Sequence, residues 1–209
     1  FKQDEILFQG VSKGGASLVA TEDLPSSMLA STIVDFSGLA DMSLTDLQKA
    51  LTGKNVSHSV SINNNTEVVS GSSTVKDLET LLQINYLSFT APRRDEEAYQ
   101  TLMSVLNSQL ANRDKNPKVA FSDSIQMMAN DHSSRIVLQD LAWLEKVNLD
   151  KALEVYKARF ANPADFVFTF VGNVDPADKV FQKMVCTWLG GLKTSKKKES
   201  VRDNGVRAP

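Results

Sequence analysis

The chain has 209 residues, 42% of them apolar and 23% charged, with a net charge of −2. That length can bury a substantial core, as one large domain or two small ones. The near-neutral balance gives no electrostatic reason to expect nucleic acid or an anionic membrane as partner. No stretch approaches the roughly 20 consecutive apolar residues that a membrane-spanning helix requires. The start, Phe1-Lys2-Gln3-Asp4-Glu5, lacks a Met and the apolar run of a signal peptide, and reads as part of a longer chain. Cys186 is the only cysteine, which excludes an internal disulfide and a thiolate metal cage. Its neighbours Met184, Val185, Trp188 and Leu189 predict a buried, inert thiol.

In chain order, residues 6–11 are apolar enough for a strand, Gly14-Gly15 marks a turn, and residues 16–20 read as a second short extended piece. A helix is expected after Pro25, carrying Met28, Leu29, Ile33 and Phe36 and closing at Ser37-Gly38. Ser43 with Asp46 is the signature of a capping box, opening a short helix with Leu44, Leu47 and Leu51. Residues 56–62 alternate polar and apolar, and residues 67–72 return after Asn63-Asn64-Asn65, predicting a hairpin. Thr74 and Asp77 read as a second capping box, ahead of Leu78, Leu81, Leu82, Tyr86 and Phe89. Ala91-Pro92 ends that helix.

A longer helix begins near Asp95, with Glu96 and Glu97 at its positive end and a stripe of Tyr99, Leu102, Met103, Leu106 and Leu110. Helices are also expected over 121–129 and through Leu149, Leu153, Tyr156 and Phe160. Residues 166–171 form the most apolar strand. Asp175-Pro176 then reads as N-cap and first residue of a last helix bearing Val180, Phe181, Met184, Val185, Trp188 and Leu189 and stopping at Gly190-Gly191. From Lys193 onward the chain is polar and aperiodic, with Lys196, Lys197 and Lys198 followed by Glu199 and Asp203, the pattern of a solvated linker. The expected fold is α+β, with helices packed on one face of a largely antiparallel sheet. The expected division is a domain over 1–192 and a linker over 193–209.

A zinc hydrolase needs three or four nitrogen, oxygen or sulfur ligands converging on one point. His58 and His132 are the only histidines, and neither stands in HExxH or HxxEH spacing. Each reads as a surface or hydrogen-bonded residue. No GxSxG, GxGxxG or phosphate-loop pattern occurs. Read from its residues alone, the chain is a well-formed domain with no catalytic constellation.

Four segments nevertheless resemble the pitrilysin/insulinase family of zinc peptidases, in particular the first domain of the C-terminal half of two-half bacterial members. They are Ser12-Lys13-Gly14-Gly15-Ala16-Ser17-Leu18; Phe36-Ser37-Gly38-Leu39 followed by the Leu47 to Gly53 helix; the stretch from Asp77-Leu78-Glu79-Thr80-Leu81-Leu82 through Phe89-Thr90-Ala91-Pro92-Arg93-Arg94-Asp95-Glu96-Glu97; and Phe170-Val171-Gly172-Asn173-Val174-Asp175-Pro176. In order and spacing they cover nearly all of residues 5–192. The resemblance implies a metallohydrolase-like sheet of about five or six strands backed by helices. In the family's active domain the two His of HxxEH bind zinc, its Glu activates water, and a later helix supplies a further Glu ligand. Aligned on the turn at Gly38, that motif falls on Leu29-Ala30-Ser31-Thr32-Ile33, and the distal ligand near Gln109.

Leu29, Thr32, Ile33 and Gln109 are degenerate positions, so the resemblance implies no catalytic, cofactor or metal residue in this domain. It places zinc in another domain of the full-length protein. The partners implied are the other domains of the same polypeptide and the peptide substrate of the parent enzyme, with no nucleic acid and no membrane insertion. A bacterial periplasmic or envelope location is implied as well. The alternative is a structural, assembly or peptide-binding subunit with no peptidase in the same chain.

Overall fold

Alternation along the strands sets the sheet. In the computed structural model, which describes residues 4–195 and 198–208, four antiparallel strands lie in the order β2-β3-β1-β4. They are β1 (Ile6–Lys13), β2 (Val56–Ile62), β3 (Thr66–Ser73) and β4 (Val167–Gly172). The register puts Phe8 opposite Gly71 and Phe170, and Gly10 opposite Val69 and Phe168. One face therefore gathers Ile6, Phe8, Val60 and Val69, all buried, while every second residue points away. A methyl group on Gly10 would sit 2.6 Å from the Phe168 ring and 2.8 Å from Val69, so this position has no room for a side chain.

Eight helices lie among the described residues, and all but α6 follow the sequence pattern: α1 (Leu24–Ser37), α2 (Leu44–Ala50), α3 (Leu78–Thr90), α4 (Glu96–Leu110), α5 (Pro117–Ala129), α6 (Leu141–Leu144), α7 (Leu149–Arg159) and α8 (Lys179–Trp188). α1 is the hub and packs on α7, α4 and β2, while α3 covers β2 and β3 and meets α8. Ala30 and Ile33 are wholly buried, with Leu29 and Val34 close to it. Gly38 ends α1 at φ 87°, and its amide donates to the Val34 carbonyl. A side chain at Gly38 would strike the Met42 carbonyl, so both conformation and space require glycine there. Tyr156 of α7 is buried and donates its hydroxyl to the Ser88 carbonyl of α3 at 3.1 Å.

Four expectations need correction, and one element was not expected. The sheet has four strands among the described residues instead of five or six, because residues 16–20 do not extend. Gly14 and Gly15 take φ of 136° and 56°, and the chain turns through Gly15–Leu18 as a 3₁₀ helix instead. Thr74 does not cap α3; its hydroxyl and the Asn55 amide both donate to the Asp77 carboxylate, which ties the start of α3 to the approach to β2. The last helix starts later than Asp175-Pro176. Asp175 closes a local turn on the Ala177 amide, and Asp178 caps α8 by accepting from Val180. Cys186 is exposed, because the apolar face of α8 is Phe181, Met184, Val185, Trp188 and Leu189, and Cys186 lies off it. Finally, α6 has no counterpart among the expected elements; at four residues it is too short to show a period.

The segment expected as a linker returns to the body. The Ser195 amide donates to Asn162, that of Glu199 to Asp165, and that of Arg202 to the Ser17 hydroxyl. Lys196, Lys197, Pro209 and the N-terminal Phe1-Lys2-Gln3 lie outside the described residues. The contact is anchored on a buried charge. Glu67 of β3 is wholly buried; its Oε1 accepts from the Gly15 amide at 2.8 Å and from Arg159 at 3.4 Å. Arg159, 10% exposed, also donates to Glu199 at 2.8 Å. Removing the guanidinium by Arg159→Met strands the Glu67 carboxylate in the interior and should lower unfolding free energy by about 3–5 kcal/mol in urea titration. In a Glu67→Gln background the same change should cost markedly less; strictly additive effects would contradict this coupling.

Candidate functional site

Positions 29 and 33 stand one helical turn apart on α1, so their side chains share a face. That face points into the core. Leu29 and Ile33 belong to the main hydrophobic cluster together with Leu102 of α4 and Leu153 and Tyr156 of α7. Thr32 is half-buried beside them, and Gln109 is exposed on α4, off its Leu102, Leu106 and Leu110 stripe. Hydrocarbon offers no lone pair to a metal, and the residues at these positions do not fit zinc. Among the described residues no group of three or more His, Cys, Asp or Glu is assembled.

The two histidines are held in different places. His132 is exposed just past the C-terminus of α5, at φ 51°, with its amide donating to the Met127 carbonyl. His58 lies on the helix-facing side of β2, opposite Gly71. Its Nε2 is closed off from solvent and has no hydrogen-bond partner. Burial pushes the imidazole down to about 4 from an ordinary 6.5. The neighbouring Asn85 amide opposes that shift but stops short of a hydrogen bond of regular geometry. Asn85 itself is wholly buried in α3. His58 is thus a half-buried residue with an enclosed Nε2 where the strand pattern alone suggested a surface or hydrogen-bonded one.

One feature of the surface has no counterpart in any sequence motif. A cavity of about 620 Å³ lies between the 3₁₀ turn after β1, the β2–β3 turn, the end of α5 and the returning C-terminal segment. Arg135 and Arg202 line it, and their separation in sequence explains why no local pattern announces them. Only the folded-back tail brings them together.

No protein-family description matches the chain. A zinc protease PQQL-like protein of Arabidopsis thaliana is 26% identical over 193 residues, 92% of this chain and 18% of that protein. The periplasmic protease PqqL of Escherichia coli superposes on the whole chain with a TM-score of 0.83 at 20% identity. The peptidase M16 inactive domain from Pseudomonas fluorescens superposes on 95% of it with a TM-score of 0.72 at 13% identity. The fold is therefore that of these peptidase domains, and the likeness to pitrilysin-type zinc peptidases holds in sequence as well as in structure. The chain spans only 18% of the Arabidopsis protein and 23% of PqqL.

The buried imidazole gives a signed pH effect. A group whose pKa falls from 6.5 to about 4 on folding binds more protons when unfolded, so stability rises with pH between those values and is lost as pH falls through them. Acidification from 6.5 to 4 should remove up to about 3 kcal/mol through His58. Chemical unfolding of wild type and His58→Leu across that range should show the slope reduced by that amount in the variant.

Proposed function

Starting from the fold of zinc-protease domains, we propose that this chain is the non-catalytic domain of a zinc metallopeptidase. It contributes a wall of a clamshell chamber and helps enclose the substrate peptide, while zinc and catalysis reside in another domain of the full-length polypeptide. The observation that carries the reading is the hydrocarbon on α1. Leu29 and Ile33, where the resembled active domain has zinc-binding imidazoles, are 7% and 0% exposed and serve the core. With Thr32 in the place of the water-activating Glu and Gln109 near that of the distal ligand, no water is activated here.

The division into a domain over 1–192 and a connector over 193–209 is part of this proposal. So is a periplasmic or envelope location, supported by the periplasmic assignment of E. coli PqqL. No helix among the described residues is long and apolar enough to cross a membrane. The partners proposed are the remaining domains of the same polypeptide and a peptide.

The test uses the full-length protein. Its reading frame should carry an HxxEH motif upstream of this segment, within a chain of about four such domains. Replacing that motif should abolish both bound zinc and peptide hydrolysis. Leu29→Ala in this domain should leave zinc stoichiometry unchanged and lower only stability, by about 2–5 kcal/mol. A full-length chain with no HxxEH would sink the proposal, and its co-purification with a separate chain that carries the motif would favour the assembly-subunit alternative.

A further inference from the structure

The cavity beside the C-terminal segment has two unlike walls. One is aliphatic, made of Leu24, Met28, Ile136 and Val137; the other carries Arg135 and Arg202. Arg135 donates to the Val19 and Ala16 carbonyls, each at 2.7 Å, and to the Thr21 hydroxyl at 3.4 Å, and so stands fixed beside the cavity with two of its five N–H groups left over. Burial first, and then the charge of Arg202, lower its pKa. The Arg202 backbone amide donates to the Ser17 hydroxyl at 2.9 Å, which holds the chain at this exposed residue against the 3₁₀ turn. The acid on this wall, Asp203, is already taken by Arg207 through bonds of 2.9 and 2.6 Å. Among the described residues neither Arg135 nor Arg202 has a carboxylate at ion-pair distance. Among the described residues the cavity thus holds two guanidinium groups with no carboxylate at ion-pair distance, beside apolar side chains, and its volume falls in the range of small-ligand sites.

Guanidinium recognises carboxylate as a planar, two-oxygen acceptor. The adjacent aliphatic wall asks for an apolar side chain close to that carboxylate, and the carboxamides of Asn64, Asn65 and Gln126 add donors and acceptors suited to backbone amides. We propose that this cavity binds the free carboxylate end of a peptide, with Arg135 and Arg202 on the carboxylate and the aliphatic wall on the last side chain. The choice of a peptide as carrier rests on the reading of this chain as a peptide-enclosing domain; the choice of a carboxylate does not.

Calorimetric titration of the 209-residue chain with three probes tests it: N-acetyl-leucyl-leucine, its C-terminal amide, and isocaproate. The acid should bind, with the amide weaker by on the order of tenfold or more. Arg202→Gln, at an exposed residue, should weaken the acid by about tenfold without moving the melting temperature. Arg135 also holds two backbone carbonyls, so Arg135→Lys serves as a second variant, read by affinity only if it melts like wild type. Equal binding of acid and amide, no binding by the folded chain, or unchanged affinity in Arg202→Gln would overturn the site. Isocaproate binding as tightly as the dipeptide acid would overturn the peptide as its ligand. Failure on any arm leaves the zinc test of the full-length protein standing, and carboxylate binding would survive failure of that test.

Discussion

The structure depends on α1 being buried along one face. Its inner residues pack simultaneously against α7, α4 and the sheet, so the helix cannot turn without opening the core. The proposed alignment at Gly38 would put the metal ligands of the resembled active domain on this face. Here Leu29 and Ile33 join a cluster running from Ile6 on the sheet to Tyr156 on α7. Each aliphatic group buried this way is worth about 2–5 kcal/mol against truncation. The same geometry, two residues one turn apart on an inward face, serves zinc with imidazoles and packing with hydrocarbon; it cannot serve both at once.

A second constraint acts at long range. Glu67, Arg159 and Glu199 come from β3, α7 and the returning segment, and they meet where Gly14 and Gly15 bend the chain after β1. The Gly15 amide needs an acceptor there and Glu67 needs a cation, so turn, strand, helix and tail hold one another in place. That arrangement converts a stretch with the composition of a linker into a strap along the body, and the cavity beneath it exists because the strap is docked.

Much of this was legible in the residues. The hairpin of β2 and β3 announced itself by alternation and Asn63-Asn64-Asn65, α4 by its stripe and by Asp95, and α1 by Gly38. Misreadings came where short-range rules compete. Asp175 and Asp178 both make good caps, and only the body's contact with Phe181 and Trp188 decides between them. Cys186 sits among apolar neighbours in sequence but off their face in space. Residues 16–20 have strand-like composition, yet two glycines at positive φ turn them aside. Glu67, His58 and the Arg135/Arg202 pair were invisible for a different reason: burial of a charge or an imidazole is set by partners from distant elements, which no local window contains.

The most direct measurement is a zinc titration of this chain under calorimetry, with the metal content of the dialysed protein determined afterwards. Hydrocarbon at positions 29 and 33 predicts no stoichiometric binding and no gain in melting temperature with added zinc. One tightly bound zinc per chain, accompanied by hydrolysis of a peptide, would contradict the proposal that this domain is catalytically silent.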